Sequence, residues 1–386
     1  MRVLIILKYI PSAEHHQKSD LLRTTIDAHV LEDYEVVLLT GGKSASHQWD
    51  EIKVKSNILQ KGWNAFSRRY LKNTLNLEYR TVVKQVAKYH EKYPIDLIFA
   101  ECTANYPATY AHAISRVCGI PYIVREHRSY ERAFKSINDI NQNYLIALRS
   151  ADAVVAVSPL LAEVMKQYGV GDKIGFLPPA LTDKFFSPPE ENGAYRQWAG
   201  SAILFAGWTR WRDFKRVDLL LEAFNQFIAY GYKAKLIIAG PVEPEENYQW
   251  AKQYIEEKGL SDQVWLTGEI TRPEIHYLAY DCDCCVVPSD YETFGLPALE
   301  AMAAGKPVVT TKCNGPEFVV ESNKLGRVVE RGSGEELFKG MEDICKNYDQ
   351  FNQEEIKRSA YERFSMTAVA GQFSALYKNI LRAKQR

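Results

Sequence analysis

The alternation of short apolar runs with longer amphipathic stretches is the feature that most constrains the fold of this chain. The runs fall into two series, one on each side of a proline-rich stretch. The first series is Val3–Leu7, Glu35–Thr40, Asp96–Ala100, Pro121–Val124 and Ala153–Val157, and the second is Ala202–Phe205, Ala234–Ala239, Gln263–Leu266, Asp283–Val287 and Pro307–Thr310. Strands that alternate with helices predict parallel sheets that carry helices on both faces.

The length of the chain and the position of its prolines predict two α/β domains. At 386 residues the chain exceeds the usual size of one domain. The prolines of 177–180 and 187–189 indicate a linker between the two series. We therefore expect an N-terminal domain of residues 1–180, a second domain of 181–365 and a final helix in 366–386. Two such domains facing each other would enclose a ligand cleft at the carboxyl ends of their strands.

Composition excludes several classes of protein. The formal net charge is zero, so no overall field favours nucleic acid. No run is long and apolar enough to span a bilayer, and the first run is too short for the core of a signal peptide. The seven cysteines are an odd number and lie mostly in apolar segments. This pattern predicts reduced thiols and a cytoplasmic location.

The segment from Pro288 to Val309 carries the strongest chemical signal. Glu292 and Glu300 lie on either side of a loop that leads into a helix opened by Pro297. Gly295 permits close approach of the backbone to a ligand, and the free amides at a helix start attract anions. The two carboxylates can accept hydrogen bonds from hydroxyl groups beside such an anion. The arrangement suits a sugar joined to a diphosphate, although two carboxylates on an ordinary exposed helix face are the alternative.

A basic loop follows the first apolar run of the second domain. It begins after Gly207 and carries Arg210, Arg212 and Lys215. Cations beside a departing diphosphate stabilise the charge that develops when the glycosidic bond breaks. A solvated basic loop is the alternative, but its position directly after the strand favours a ligand contact.

These motifs resemble the signature of the retaining family 4 glycosyltransferases of the GT-B fold. The resemblance rests on Glu292, Phe294-Gly295-Leu296, Glu300 and the Ala-Gly-Lys-Pro-Val-Val run of 304–309, and it is strongest from Ile203 to Glu317. It implies two Rossmann-like domains facing a central cleft. The N-terminal domain would bind the acceptor, the second would bind the nucleotide-sugar donor, and the last helix would cross back to the N-terminal domain.

The resemblance also assigns roles to individual residues. Glu292 would face the transferred sugar, Glu300 the ribose, and Lys215 with Arg210 or Arg212 the diphosphate. The family's arginine usually follows the strand glycine directly, where this chain has Trp208. The donor-binding residues implied are Gly207, Arg210, Lys215, Glu292, Thr293, Phe294, Gly295, Leu296 and Glu300.

The first domain offers one further catalytic candidate, His127, three residues after the run that ends at Val124. The pKa range of histidine suits proton handling, and the resemblance puts His127 near the donor sugar and the incoming hydroxyl. A histidine whose hydrogen bonds are satisfied within the fold is the alternative. Two segments depart from the family: residues 11–16 lack its paired glycines, and 179–183 lack its Asn-Gly pair.

Residues 50–92 are basic and aromatic. They contain ten lysines and arginines against four acidic residues, together with Trp63, Phe66 and Tyr70. Such a segment could contact anionic lipid at the inner face of the membrane, as a lipid-linked acceptor would require. An ordinary solvated pair of helices is an equal alternative.

The sequence therefore predicts a retaining, metal-independent glycosyltransferase. The donor would be a UDP-, GDP- or ADP-sugar, and the acceptor a carbohydrate or lipid-linked molecule in bacterial polysaccharide, lipopolysaccharide or glycolipid synthesis. Asp281-Cys-Asp283 leads straight into a strand, so we expect no metal there, and the nearby cysteines lack zinc-site spacing. Lys215, Glu292 and His127 are the catalytic candidates, and no cofactor is expected. A sugar-nucleotide epimerase and a silent nucleotide-sugar binding protein are the alternatives.

Overall fold

The computed structural model describes residues 1–7, 16–40, 50–53, 77–103, 105–172, 174–190, 193–243 and 245–385. The chain divides into two compact units. Unit 1 comprises Met1–Ala180 together with Val369–Arg386, and unit 2 comprises Leu181–Ala368. The boundary falls after Ala180, within the proline-rich stretch. Most of the loop 11–16, and residues 54–76 of the basic segment, lie outside the described residues.

Unit 1 contains a seven-stranded parallel sheet with the order β3-β2-β1-β4-β5-β6-β7. Its strands are β1 (Arg2–Ile6), β2 (Glu35–Thr40), β3 (Asp50–Lys53), β4 (Leu97–Cys102), β5 (Tyr122–Glu126), β6 (Ala153–Ala156) and β7 (Ile174–Phe176). Its helices are α1 (His16–Leu31), α2 (Leu77–Lys92), α3 (Tyr106–Cys118), α4 (Tyr130–Ala133), α5 (Gln142–Arg149) and α6 (Pro159–Gln167). The strand order reverses between β1 and β4.

Unit 2 contains a six-stranded parallel sheet with the order β10-β9-β8-β11-β12-β13. Its strands are β8 (Ile203–Trp208), β9 (Ala234–Ala239), β10 (Val264–Gly268), β11 (Cys284–Val287), β12 (Val308–Thr311) and β13 (Gly326–Val329). Its helices are α7 (Ala194–Ala199), α8 (Val217–Ala229), α9 (Glu245–Glu257), α10 (Arg272–Asp281), α11 (Leu296–Ala303), α12 (Pro316–Val319), α13 (Gly334–Lys346) and α14 (Gln353–Phe364). The strand order reverses between β8 and β11.

Central strands form because their apolar runs are covered on both faces. Every residue of β4 and of β11 is buried, as expected for the middle of a parallel sheet. The predicted runs correspond to strands whose ends differ by up to three residues. Three strands were not predicted: β3, β7 and β13. Each lies at a sheet edge, where one neighbour suffices and a short polar sequence such as Asp-Glu-Ile-Lys can pair.

The last helix is α15 (Met366–Lys384), and from Val369 onward it belongs to unit 1. The hydroxyl of Tyr377 lies 2.5 Å from Nε2 of His29 on α1. The ring of Phe373 lies 5.2 Å from that of Phe99 on β4. The core of unit 1 is therefore completed by the C-terminal end of the chain. Across the described ranges, no helix combines the length and apolar character needed to cross a bilayer.

Candidate active site

The site in unit 2 forms where the strand order reverses, between β8 and β11. The loops that follow these two strands carry the predicted donor-binding residues. A Cβ at Gly207 would lie 3.1 Å from the carbonyl oxygen of Val286, so the two strands approach closely at that point. Parallel α/β sheets bind ligands at this position because the diverging loops leave a crevice.

Lys215 and Glu292 form an ion pair at this edge of the sheet. The ammonium of Lys215 contacts Oε1 of Glu292, and the two side chains are 14% and 15% exposed. Ser289 Oγ lies 3.4 Å from the same carboxylate oxygen. The amide of Glu292 donates to the carbonyl of Cys313 at 2.8 Å, which fixes the loop. The ion pair therefore connects Lys215, the residue predicted to bind the phosphate, with Glu292, the residue predicted to bind the sugar.

Glu300 lies on α11 and is only 2% exposed. The indole Nε1 of Trp208 donates to its Oε2 at 2.6 Å, and the guanidinium of Arg272 contacts its Oε1. A carboxylate offers about four lone-pair positions, so these two donors leave about two for hydroxyl groups. Trp208 stands where the family usually has arginine. It is thus hydrogen-bonded directly to Glu300, the residue predicted to bind the ribose.

Residues 293–296 present a run of backbone amides at the start of α11. In the described part of the chain none of these four N–H groups donates to a protein acceptor. Gly295 has φ +91°, and a Cβ there would lie 2.5 Å from Cγ of Pro316. Only glycine fits this close approach in a left-handed conformation. Free amides at a helix start form a cradle suited to an anion.

Arg210 and Arg212 both extend toward one acidic residue, Glu243. The distances from their guanidinium nitrogens to Oε2 of Glu243 are 2.8 Å and 3.6 Å. Arg216 instead pairs with Asp218 at 2.8 Å and Asp290 at 3.2 Å. Lys215 is therefore the cation of this loop that reaches Glu292, and the choice between Arg210 and Arg212 remains a prediction.

His127 lies in unit 1, just beyond the end of β5, beside a buried carboxylate. Its Nε2 lies 2.6 Å from Oε2 of Glu101, which also binds Arg125 and is fully buried. Burial would raise the pKa of Glu101, but Arg125 and His127 beside it hold that pKa well below its usual range. An ionised carboxylate only accepts hydrogen bonds, so Nε2 of His127 carries a proton. When the ring is neutral, Nδ1 is the nitrogen with a lone pair.

A second buried carboxylate, Glu126, fixes the loop that carries His127. Its Oε1 accepts the backbone amides of His127 and Arg128, each at 2.9 Å. Its Oε2 accepts from the guanidinium of Arg128 at 3.0 Å and from the hydroxyl of Tyr144. The orientation of the His127 side chain is consequently fixed by two contacts: its ring binds Glu101, and its backbone amide binds Glu126.

The structure brings together part of the predicted site. Gly207, Trp208, Ser289 and Glu292 line one small cavity of unit 2, next to the amide run. Trp208, Arg272, Ser289 and Glu101 are site residues to which the sequence alone assigned no role. For Glu101 there was a signal, a carboxylate near the end of an apolar run. For Arg272 the Thr271-Arg-Pro-Glu274 capping box marked a helix start but not its partner.

The acidic and cysteine residues near β11 have structural partners. Asp281 accepts the backbone amides of Gly193 at 3.0 Å and Tyr195 at 3.1 Å, and Asp283 accepts that of Leu204 at 2.7 Å. Burial raises the pKa of the thiols of Cys282, Cys284 and Cys285. All seven cysteines are free.

The two parallel sheets, each with its order reversed beside the first strand, define an α/β protein of the GT-B class. Residues 23–183 match the family model described as Glycosyltransferase Family 4. Residues 201–363 match the model described as Glycosyl transferases group 1. The chain therefore belongs to the family 4, group 1 glycosyltransferases of the GT-B fold.

Relatives of known sequence resemble this chain, and solved structures share its fold. A probable sucrose-phosphate synthase of Thermosipho melanesiensis is 26% identical over 262 residues, covering 62% of this chain and 60% of the relative. The structure of a sucrose-phosphate synthase from Thermosynechococcus elongatus matches with a TM-score of 0.77 at 18% identity, covering 99% of both chains. The Anabaena protein HepE in complex with UDP-glucose matches with a TM-score of 0.74 at 18% identity, covering 98% of this chain and 100% of that one.

Proposed function

We propose that this protein transfers a sugar from a nucleotide diphosphate donor to an acceptor hydroxyl with retention of anomeric configuration. The bond from the anomeric carbon to the phosphate oxygen breaks, and the nucleotide diphosphate leaves. The acceptor oxygen bonds to the same carbon on the same face. The acceptor hydroxyl loses its proton in this step, and His127 of unit 1 is our candidate for the group that handles it. We expect products such as bacterial polysaccharide, lipopolysaccharide or glycolipid.

The observation that carries this proposal is the Lys215–Glu292 ion pair beside the amide run of residues 293–296. A diphosphate seated on these amides would draw Lys215 toward its oxygens and free Glu292 to accept from sugar hydroxyls. Glu300, with about two lone-pair positions to spare, would hold the ribose. Cationic and amide donors that face a developing negative charge stabilise the transition state without a metal ion.

A nucleotide-sugar donor has support beyond the site itself. The Anabaena protein of similar fold was crystallised in complex with UDP-glucose. UDP-glucose is accordingly the first donor to test, with GDP- and ADP-sugars beside it. We assign donor binding to unit 2 and acceptor binding to unit 1.

We place the enzyme in the cytoplasm, with peripheral contact at the inner face of the membrane through residues 50–92. Seven free thiols suit a reducing compartment. Trp63, Phe66 and Tyr70 of this basic segment lie outside the described residues, so the proposal rests on their sequence. Binding to vesicles with and without anionic lipid would test the contact.

The first experiment measures thermal stabilisation and slow donor hydrolysis across UDP-, GDP- and ADP-sugars. One donor that both stabilises the protein and is cleaved would support the transferase. Turnover of the donor to an epimer without acceptor would favour the epimerase. Stabilisation without cleavage, even with acceptor extracts, would favour a binding protein, and no response to any donor would contradict the donor site.

Lys215→Ala tests whether Lys215 acts in catalysis: the variant should fold as the wild type does but lose activity. We expect kcat to fall by about 100-fold or more, as for other single donors that stabilise a developing charge. Lys233→Ala is the matched control, because Lys233 pairs with Ser201 at 2.7 Å and lies outside the site. Anomeric proton couplings of the product, followed by NMR, distinguish retention from inversion.

A further inference from the structure

A second pocket lies in unit 2 beside the basic loop. It has a volume of about 550 Å³, and its lining includes Trp211, Asp213, Arg216, Asn247, Trp250 and Asp290. We call it the Trp211 pocket. None of the nine donor-binding residues implied by the resemblance lines it, although Arg212, the alternative diphosphate ligand, does. The two sites adjoin and use neighbouring residues: Lys215 pairs with Glu292, whereas Arg216 pairs with Asp290, which lines the Trp211 pocket.

The walls of the Trp211 pocket are tied to one another by hydrogen bonds. The side-chain amide of Asn247 on α9 donates to Asp213 at 3.0 Å. The backbone amide of Asp290 donates to the carbonyl of Phe214 at 2.8 Å. Three separate segments of unit 2 therefore hold the pocket in shape before any ligand binds, which lowers the entropy cost of binding.

Trp211, a residue of the pocket lining, carries an unpaired indole donor. Its side chain is 1% exposed, and its indole Nε1 has no acceptor among the described residues. A buried donor without a partner destabilises the folded state, so such groups are rare in native proteins. An acceptor oxygen of a ligand that reached this N–H would satisfy it.

Arg216 is held in an unusual backbone conformation at the pocket wall. Its φ is +52°, in the left-handed region that a residue with a long side chain rarely adopts. Two hydrogen-bonded carboxylates, Asp218 and Asp290, keep its guanidinium in place. Backbone strain of this kind persists where the surrounding structure holds the residue in place, and it clusters at ligand-binding and active sites.

The chemistry of the lining selects the class of ligand. Trp250 is 42% exposed, so its ring is a platform for the apolar face of a sugar ring. Asp213, Asp218 and Asp290 accept hydrogen bonds from hydroxyl groups, and the indole of Trp211 donates one. The lining thus holds three carboxylates against the two guanidinium groups of Arg212 and Arg216, and both guanidinium groups already have acidic partners. A phosphate would be repelled there, whereas a neutral saccharide would not.

We propose that the Trp211 pocket binds a neutral saccharide, separately from the nucleotide-sugar site. Saccharide binding here requires no transfer chemistry and so does not depend on the proposed function. In a glycosyltransferase, such a pocket would retain a glycan product while the donor site turns over.

The test is saturation-transfer NMR of the full-length protein with maltose, cellobiose, lactose, mannobiose and N-acetylchitobiose, each at about 10 mM. We expect at least one to bind, and UDP added to the same sample not to displace it. Trp250→Ala should weaken that binding about tenfold. Trp265→Ala, which removes another partly exposed tryptophan of unit 2, should leave it unchanged.

Trp211→Phe provides the sharper variant, since it removes the N–H and keeps most of the ring. The variant should be at least as stable as the wild type without ligand, because a buried unpaired donor is gone, yet bind the saccharide several-fold more weakly. The proposal is overturned if no saccharide binds the wild type, if UDP displaces it, or if both tryptophan variants bind as the wild type does. UDP titration of each sample reports on the donor site independently.

Discussion

Glu300 in unit 2 and Glu101 in unit 1 are almost fully buried acidic residues beside the catalytic candidates. Each is held by an arginine and by a ring N–H, Arg272 and Trp208 for Glu300 and Arg125 and His127 for Glu101. A buried charge is tolerated only when it is paired and hydrogen-bonded. The partners of these carboxylates are therefore as necessary to each site as the carboxylates themselves.

Trp208→Phe removes one hydrogen bond to Glu300 and keeps the ring in the core. If Glu300 binds the ribose, we expect the Kd of the nucleotide-sugar to rise about fivefold, which corresponds to about 1 kcal/mol, with a smaller change in kcat. Calorimetric titration measures the change. Trp198→Phe, another tryptophan of unit 2, is the control, and equal affinities for both variants would show that Trp208 does not position Glu300.

The lowered pKa of the buried His29 leads us to expect a loss of stability in mild acid. Burial lowers its pKa to about 4, against 6.5 in the unfolded chain, within a surrounding of Arg125, Glu101 and Tyr377. Between these two values the unfolded chain binds more protons than the folded one, so the free energy of unfolding decreases as the pH falls. Titration of His29 alone should lower the free energy of unfolding by roughly 3 kcal/mol once the pH has fallen through both values.

Denaturant melts of wild type and His29→Gln from pH 7 to pH 4 measure this dependence. The variant should be less stable at pH 7 because it disturbs the packing around Tyr377. Its stability should nevertheless decline less steeply between pH 6.5 and pH 4. Parallel curves for the two proteins would mean that His29 does not account for the pH dependence.

At the scale of the element, the start of α11 depends on one glycine. Gly295 combines φ +91° with a close approach to Pro316. The preceding strand, β11, is a continuous apolar run, and its bounds were predicted to within one residue. The approach of α12 to the loop was not, because Pro316 lies 21 positions further along the chain.

Gly295→Ala should destabilise unit 2 more than the same substitution at another glycine with a similar positive φ. Gly231 has φ +88°, and a Cβ added there would meet no atom within 4 Å, so Gly231→Ala carries the backbone strain alone, about 1–2 kcal/mol. The contact with Pro316 should add about 1–3 kcal/mol and weaken donor binding. Equal free energies of unfolding for the two variants would exclude a role for the close approach.

At the scale of the whole molecule, the two units differ in how the chain builds them. Unit 2 is one continuous segment, whereas unit 1 requires residues from both ends of the chain. Phe373 and Tyr377 of α15 pack against Phe99 and His29, so a chain that ends at residue 180 would leave this core open.

Fragments of the chain test this organisation. Residues 181–368 alone should fold cooperatively and bind the nucleotide diphosphate donor. Residues 1–180 alone should expose apolar surface, and a fusion of 1–180 to 369–386 should restore a cooperative transition. Circular dichroism melts compare the three. Cooperative melting of 1–180 without the last helix would contradict the role of α15.

The sequence by itself determined the two parallel sheets and the signature around Glu292, Gly295 and Glu300. Strand periodicity, helix starts and glycine positions are local properties, so they can be read along the chain. The edge strand β3 was missed because its short polar sequence lacks that signal.

Only the tertiary structure decided which side chains meet. Trp208 lies 92 positions from Glu300, and His127 lies 26 positions from Glu101. No local pattern records such pairs, because parallel strand order and helix packing bring distant residues together. The partners that hold each carboxylate, and the Trp211 pocket, follow from that packing rather than from any motif.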